Sequence, residues 1–197
     1  GTVFSIVQDQ AGLMWFGTQS GLNKYDGYNI TVYKHDPMDL NTVSNDNAGN
    51  LFIDRAGMIW IGTWGGGLDK LDPRTDQFTH YFHNPDDPAS LSADRVQTIF
   101  EDSRGNLWVG TSGGGLNKFD PATETFTHYR HQPNNPNSLS HDRVWRIVED
   151  KAGRLWIATS DGLNRFDPLT ETFNHYKNDP ADPTSLTDNL VRTLYLD

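Results

Sequence analysis

Short apolar runs alternate with clusters of Gly, Pro, Asp and Asn along the whole chain. Typical runs are Val96-Gln-Thr-Ile-Phe100, Leu107-Trp-Val-Gly-Thr111, Leu116 to Phe119 and Thr125 to Tyr129. Each is the length of a strand and too short for a proper helix, and none keeps a 3.6-residue period. The clusters between them supply the turn chemistry that ends strands. The pattern predicts an all-β chain. No apolar run approaches the ~20 residues of a helical membrane span.

The runs belong to one unit repeated four times. A block Asp-x-x-Gly followed by a Trp strand begins at Asp9, Asp54, Asp102 and Asp150, with Trp15, Trp60, Trp108 and Trp156 spaced 45, 48 and 48 residues apart. A second block reads Gly21-Leu-Asn-Lys-Tyr-Asp26, Gly67-Leu-Asp-Lys-Leu-Asp72, Gly115-Leu-Asn-Lys-Phe-Asp120 and Gly162-Leu-Asn-Arg-Phe-Asp167. A third is Phe-Thr-His-Tyr at 78–81 and 126–129, with variants at 30–33 and 173–176, and a fourth is the Ser-Leu-Ser type at 42–44, 90–92, 138–140 and 185–187. Four antiparallel strands (A to D) repeating every ~40–50 residues predict β-propeller blades. The blades fall at roughly 2–41, 42–89, 90–137 and 138–184, within a single domain spanning 1–197. Residues 185–197 open a fifth blade, Leu190–Leu196 being its strand A. The chain therefore reads as part of a larger ring, completed by the remaining blades of a longer chain or by a homodimer.

Composition narrows the chemistry. The chain has 197 residues and no Cys, which excludes a disulfide framework and Cys-based zinc or redox sites. Its net charge of -10 argues against nucleic acid as a partner. Nothing points to membrane contact by this segment.

Most chemistry-bearing residues repeat once per blade, so they read as structure. The four Trp read as core between blades. The four Asp read as caps of the A–B hairpins, since copies one blade apart cannot converge as a carboxylate pair. His80, His128 and His175 share one repeated position and His35, His83 and His131 another, where metal ligands would instead cluster. His141 has no counterpart. The Gly runs at 65–67 and 113–115 join strand to strand and read as tight turns. The Asp- and Pro-rich D–A loops lack calcium-loop spacing. No catalytic residue, metal site or cofactor is expected, and a propeller lyase is the weaker enzymatic alternative.

Positions where the repeats disagree carry more information, because the fold does not dictate them. The residue after the repeated Val (Ala48 in the second copy) of strand A is Phe4, Gly49, Gln97, Trp145 or Arg192. Two residues earlier stand Thr2, Asn47, Arg95, Arg143 and Leu190. The B–C turn holds Trp64 where other copies have Gln or Ser. In a propeller these positions share one mouth of the ring. Trp64, Asp94, Arg95, His141, Arg143 and Trp145 are therefore the candidate ligand-binding residues. Aromatic faces with Arg and Asp forks suit oligosaccharides.

The Asp-x-x-Gly-x-Leu-Trp-Ile-Gly-Thr, Gly-Gly-Leu-Asn-Lys-Phe-Asp and Ser-Leu-Ser blocks resemble the two-component regulator propeller repeat over essentially the whole chain. The resemblance implies a seven-bladed periplasmic sensor of a hybrid histidine kinase, many of which sense oligosaccharides. The alternative, which exposed ring edges and missing blades suggest, is a ring serving as a dimerisation or protein-docking scaffold with no small ligand.

Overall fold

The computed structural model describes residues 1–196, and among them no helix forms. Four four-stranded antiparallel sheets follow one another in chain order. The first comprises β1 (Val3–Gln8), β2 (Met14–Thr18), β3 (Gly21–Tyr25) and β4 (Ile30–Tyr33); the second β5 (Ala48–Ile53), β6 (Ile59–Thr63), β7 (Leu68–Asp72) and β8 (Gln77–Tyr81). The third comprises β9 (Val96–Glu101), β10 (Leu107–Thr111), β11 (Leu116–Asp120) and β12 (Thr125–Tyr129); the fourth β13 (Val144–Glu149), β14 (Leu155–Thr159), β15 (Gly162–Asp167) and β16 (Thr172–Tyr176). In every sheet the spatial order is the sequence order, as the blade reading predicts. The chain divides into two compact units, Gly1–Ile99 and Phe100–Asp197, and the division falls inside β9.

Each A–B hairpin is held by its Asp. Asp9 Oδ1 accepts the N–H groups of Ala11 and Leu13 at 2.9 Å, and Oδ2 accepts Trp15 Nε1–H at 2.8 Å. Asp54 meets Trp60, Asp102 meets Trp108 and Asp150 meets Trp156 in the same way, at 2.8, 2.9 and 3.0 Å. One carboxylate thus closes the turn and fixes the indole that anchors the blade. For Asp150, burial opposes ionisation. The Arg154 N–H, Trp156 Nε1–H and Arg154 guanidinium outweigh it and hold the carboxyl down at about 2.

The core forms where neighbouring sheets face each other. In the first unit Trp15, Leu22, Val43, Ala48, Leu51, Ile59, Ile61 and Leu71 make one buried cluster. In the second, Trp108 packs edge-on to Phe166 at 5.5 Å, within a cluster that includes Leu139, Val144, Ile147, Ile157 and Phe173. Burying one such side chain contributes roughly 1.5–3 kcal/mol. Trp15, Trp60 and Trp108 are fully enclosed, as expected for core. Trp156 is half-buried and leans on the part-exposed Tyr176. The strand-B glycine permits close approach of the next sheet: a Cβ at Gly62 would lie 2.6 Å from Val96 Cγ1.

Leu190–Leu196 departs from the sequence expectation. No residue of this segment is in a strand, and Leu190, Tyr195 and Leu196 are exposed. A strand A is held by the strand B that follows it, and among the described residues no strand pairs with this segment. Among the described residues it keeps a backbone bond from Val191 N–H to Thr159 O. The expected hairpin Asp at position 197 lies outside the described residues.

Candidate functional site

The divergent column in strand A has a structural cause. In β1 the ladder pairs Val3 with Thr18 and Ser5 with Gly17, leaving Phe4 without a partner position. β5 skips Gly49 and β13 skips Trp145 in the same way. These are β-bulges, which leave one residue outside the ladder and re-aim its side chain. A residue outside the ladder answers to neither register nor core, so the repeats are free to differ there.

In the first unit the bulges frame Trp64. A Cβ at residue 49 would run into the Trp64 indole, so the indole lies directly on the Gly49 backbone. Phe4 packs against it with ring centroids 4.7 Å apart, and the Arg95 guanidinium sits 5.2 Å from its centroid. Trp64 and Arg95 also form an isolated antiparallel bridge. The indole is nevertheless 40% exposed. It is an open aromatic surface flanked by a second ring and a cation.

Asp94 stands beside this surface but has another task. Its Oδ1 accepts the His83 N–H at 2.7 Å, and its carbonyl accepts the N–H groups of Gly65 and Gly67. Asp46, Asp142 and Asn189 cap His35, His131 and Asn178 identically. Its side chain closes the D–A loop in every copy, which accounts for the residue without a ligand.

In the second unit His141, Arg143 and Trp145 come together. His141 Nδ1 accepts the Arg143 N–H at 2.9 Å, so His141 shapes the entry to β13. Arg143 Nε donates to Ser112 Oγ at 3.1 Å, and the guanidinium lies 5.7 Å from the Trp145 centroid. Trp145 Nε1 donates to Ser160 Oγ at 2.9 Å, which fixes the ring. A second guanidinium, Arg192, lies 5.5 Å from the same centroid. Sequence reasoning left Phe4, Ser112, Ser160 and Arg192 outside the candidate set, although Phe4 and Arg192 occupy the same divergent column as Trp145.

The other histidines have structural partners where contacts are described. His35, His83 and His131 each bond a D–A loop carbonyl through Nδ1. Among the described residues no group of three or more His, Asp or Glu is placed to hold a metal.

Comparison with known proteins bears on this architecture. The family model for the two-component regulator propeller matches residues 1–20, 90–113 and 138–161, each spanning a strand A, an Asp-x-x-Gly hairpin and a Trp strand. Three of the four blades thus carry a segment that matches this repeat. A 43-residue stretch is 42% identical to part of a histidine kinase P4 of Formosa agariphila, covering 22% of this chain and 3% of that protein. Among solved structures, the extracellular domain of a hybrid two-component system of B. thetaiotaomicron matches 99% of this chain and 37% of its own, at 24% identity and a TM-score of 0.65. PorZ, a surface component of the type-IX secretion system of Porphyromonas gingivalis, matches 100% of this chain and 30% of its own, at 21% identity and a TM-score of 0.68. The chain thus spans about a third of these two solved structures, and both likenesses concern the fold.

Proposed function

We propose that the chain is an extracytoplasmic, periplasmic sensing segment of a bacterial two-component regulator, and that it binds an oligosaccharide. The observation that carries the reading is Trp64: an exposed indole seated on a glycine bulge, with Phe4 and Arg95 against it. Proteins normally cover such a ring, and the position is one the blade leaves free. An open aromatic face beside a guanidinium suits a sugar ring, whose C–H face stacks and whose hydroxyls accept hydrogen bonds. The match to the regulator-propeller repeat supports the signalling context.

Calorimetric titration with a panel of neutral and acidic oligosaccharides tests the reading. Saturable binding to one glycan class is expected. Trp64→Ala is expected to weaken it about tenfold, the loss of one stacked ring, while the unfolding midpoint stays nearly unchanged. Absence of saturable binding across the panel would overturn the reading.

A second reading has its own observation. Val3, Ile6, Ile30 and Val32, all in the first sheet, are about half exposed or more. We infer that this surface docks a further blade, from a longer chain or a second copy. Light scattering across a concentration series separates a self-associating chain from a monomer.

A further inference from the structure

We propose that Arg143, Trp145 and Arg192 form a subsite for an anionic sugar, binding the carboxylate of a uronic acid or a sulfate ester. The proposal rests on the glycan reading above and adds the charge of the ligand.

Two guanidiniums lie over one indole, at 5.7 and 5.5 Å from its centroid. Both arginines are exposed. Among the described residues neither is paired with a carboxylate. Asp142 and Asp188, close in sequence to the two arginines, and Asp161, next to Ser160, are committed elsewhere. Asp142 Oδ1 takes the His131 N–H, Asp161 pairs with Lys177, and Asp188 Oδ1 takes the Leu190 N–H. In a chain of net charge -10, unpaired cations gathered on one ring are not a by-product of an excess of bases.

The lysine–ring stacks in the molecule are different. Lys24, Lys70 and Lys118 lie over Trp15, Trp60 and Trp108, each a single cation against a buried core ring, repeated blade by blade. The Trp145 cluster occurs once, at a bulge the fold leaves free, and its ring is fixed by Ser160. Arg143 is likewise oriented, through Ser112. Fixed guanidinium forks recognise carboxylate or sulfate oxygens with two parallel hydrogen bonds. The indole face beside them takes the apolar face of the sugar that carries the anion. A net-negative chain repels anions at long range, so recognition needs such a local pair of cations.

The test uses the 197-residue chain and calorimetric titration with four probes: a uronic acid oligosaccharide, a sulfated one, a neutral one of the same length, and sodium sulfate alone. At least one anionic sugar is expected to bind ten times or more tighter than the neutral one, and its affinity should fall as salt rises. Arg192→Gln and Arg143→Gln should each cost about tenfold for the anionic sugar and leave the neutral one unchanged. If either variant folds poorly, the other carries the test, since the two arginines lie on separate segments. Equal binding of neutral and anionic sugars, or unchanged affinity in both variants, overturns the subsite and leaves the glycan reading standing. Sulfate binding as tightly as any sugar overturns the sugar half of the proposal and the glycan reading with it. No binding by any probe overturns both.

Discussion

Blades two and four place a histidine at the same register position of the outer strand, yet solve the buried contact beneath it differently. In blade four, Asn164 lies under His175. Its Oδ1 accepts the Ser140 N–H at 2.9 Å and its Nδ2 donates to Ser140 Oγ at 2.7 Å. In blade two, Asp69 takes that place. One carboxylate oxygen accepts the Ser44 N–H at 2.9 Å, and the other meets His80 Nδ1 at 2.7 Å. A carboxylate has no donor to offer, and the buried Ser44 Oγ has no hydrogen-bond partner. His80 Nε2 meets the Leu40 carbonyl at 2.7 Å, so both ring nitrogens face acceptors and the imidazolium satisfies both. The Asp69 hydrogen bond, opposed by burial and aided by Leu40, raises the His80 pKa above its ordinary 6.5. One amide-to-acid exchange turns a neutral strut into a charged one.

The largest break in the comparison is Asp69→Ala. It strips the acceptor from the Ser44 N–H, leaves the His80 imidazolium without its partner and opens a hole. A loss of about 3 kcal/mol is expected from urea unfolding. Asn164→Ala, which removes no charge, should cost less, about 1–2 kcal/mol.

Exchanging the two solutions sharpens the comparison further. A raised histidine pKa contributes stability that is fully present below pH 6.5 and is lost as pH rises through the higher folded value. Asp69→Asn removes that contribution and supplies an amide donor for Ser44 Oγ. Its destabilisation should therefore be larger at about pH 5.5 than at about pH 8. Thermal unfolding at both pH values checks it. A pH-independent difference would show that His80 does not titrate against Asp69.

The smallest effect concerns a feature the two units share. Tyr33 donates to Asp76 at 2.8 Å and Tyr129 to Glu171 at 2.7 Å. Both acids sit in the C–D turn of the following blade with φ of 54°, the left-handed region. Tyr129→Phe and Tyr33→Phe should each cost about 0.5–1 kcal/mol, the worth of one exposed hydrogen bond. A combined loss equal to the sum would mean that the two latches act independently.

Sequence made the blade architecture legible because it is written in repeated residues with one physical task each. Asp-x-x-Gly marks a hairpin and Trp marks a core position. What stayed hidden depends on contacts that no repeat announces. The second carboxylate oxygen of Asp9 and its counterparts reaches an indole six residues away, which turn chemistry alone does not predict. The bulges at Phe4, Gly49 and Trp145 were visible only as disagreement among copies. Asp94 read as divergent chemistry because its neighbour Arg95 varies, although its own capping role recurs at Asp46 and Asp142. Leu190–Leu196 carries the pattern of a strand, but strand formation requires a partner, and pattern cannot supply one.

In blades two and four the bulge and the facing B–C turn share one small volume. Gly49 faces Trp64, and Trp145 faces Ser160. In these two blades bulk at one position goes with a small residue at the other. The pair behaves as a two-position switch for where an aromatic ring is displayed, on the turn or on the strand, while the sixteen strands beneath stay as they are. An aromatic surface can thus move between turn and strand by exchange of two residues.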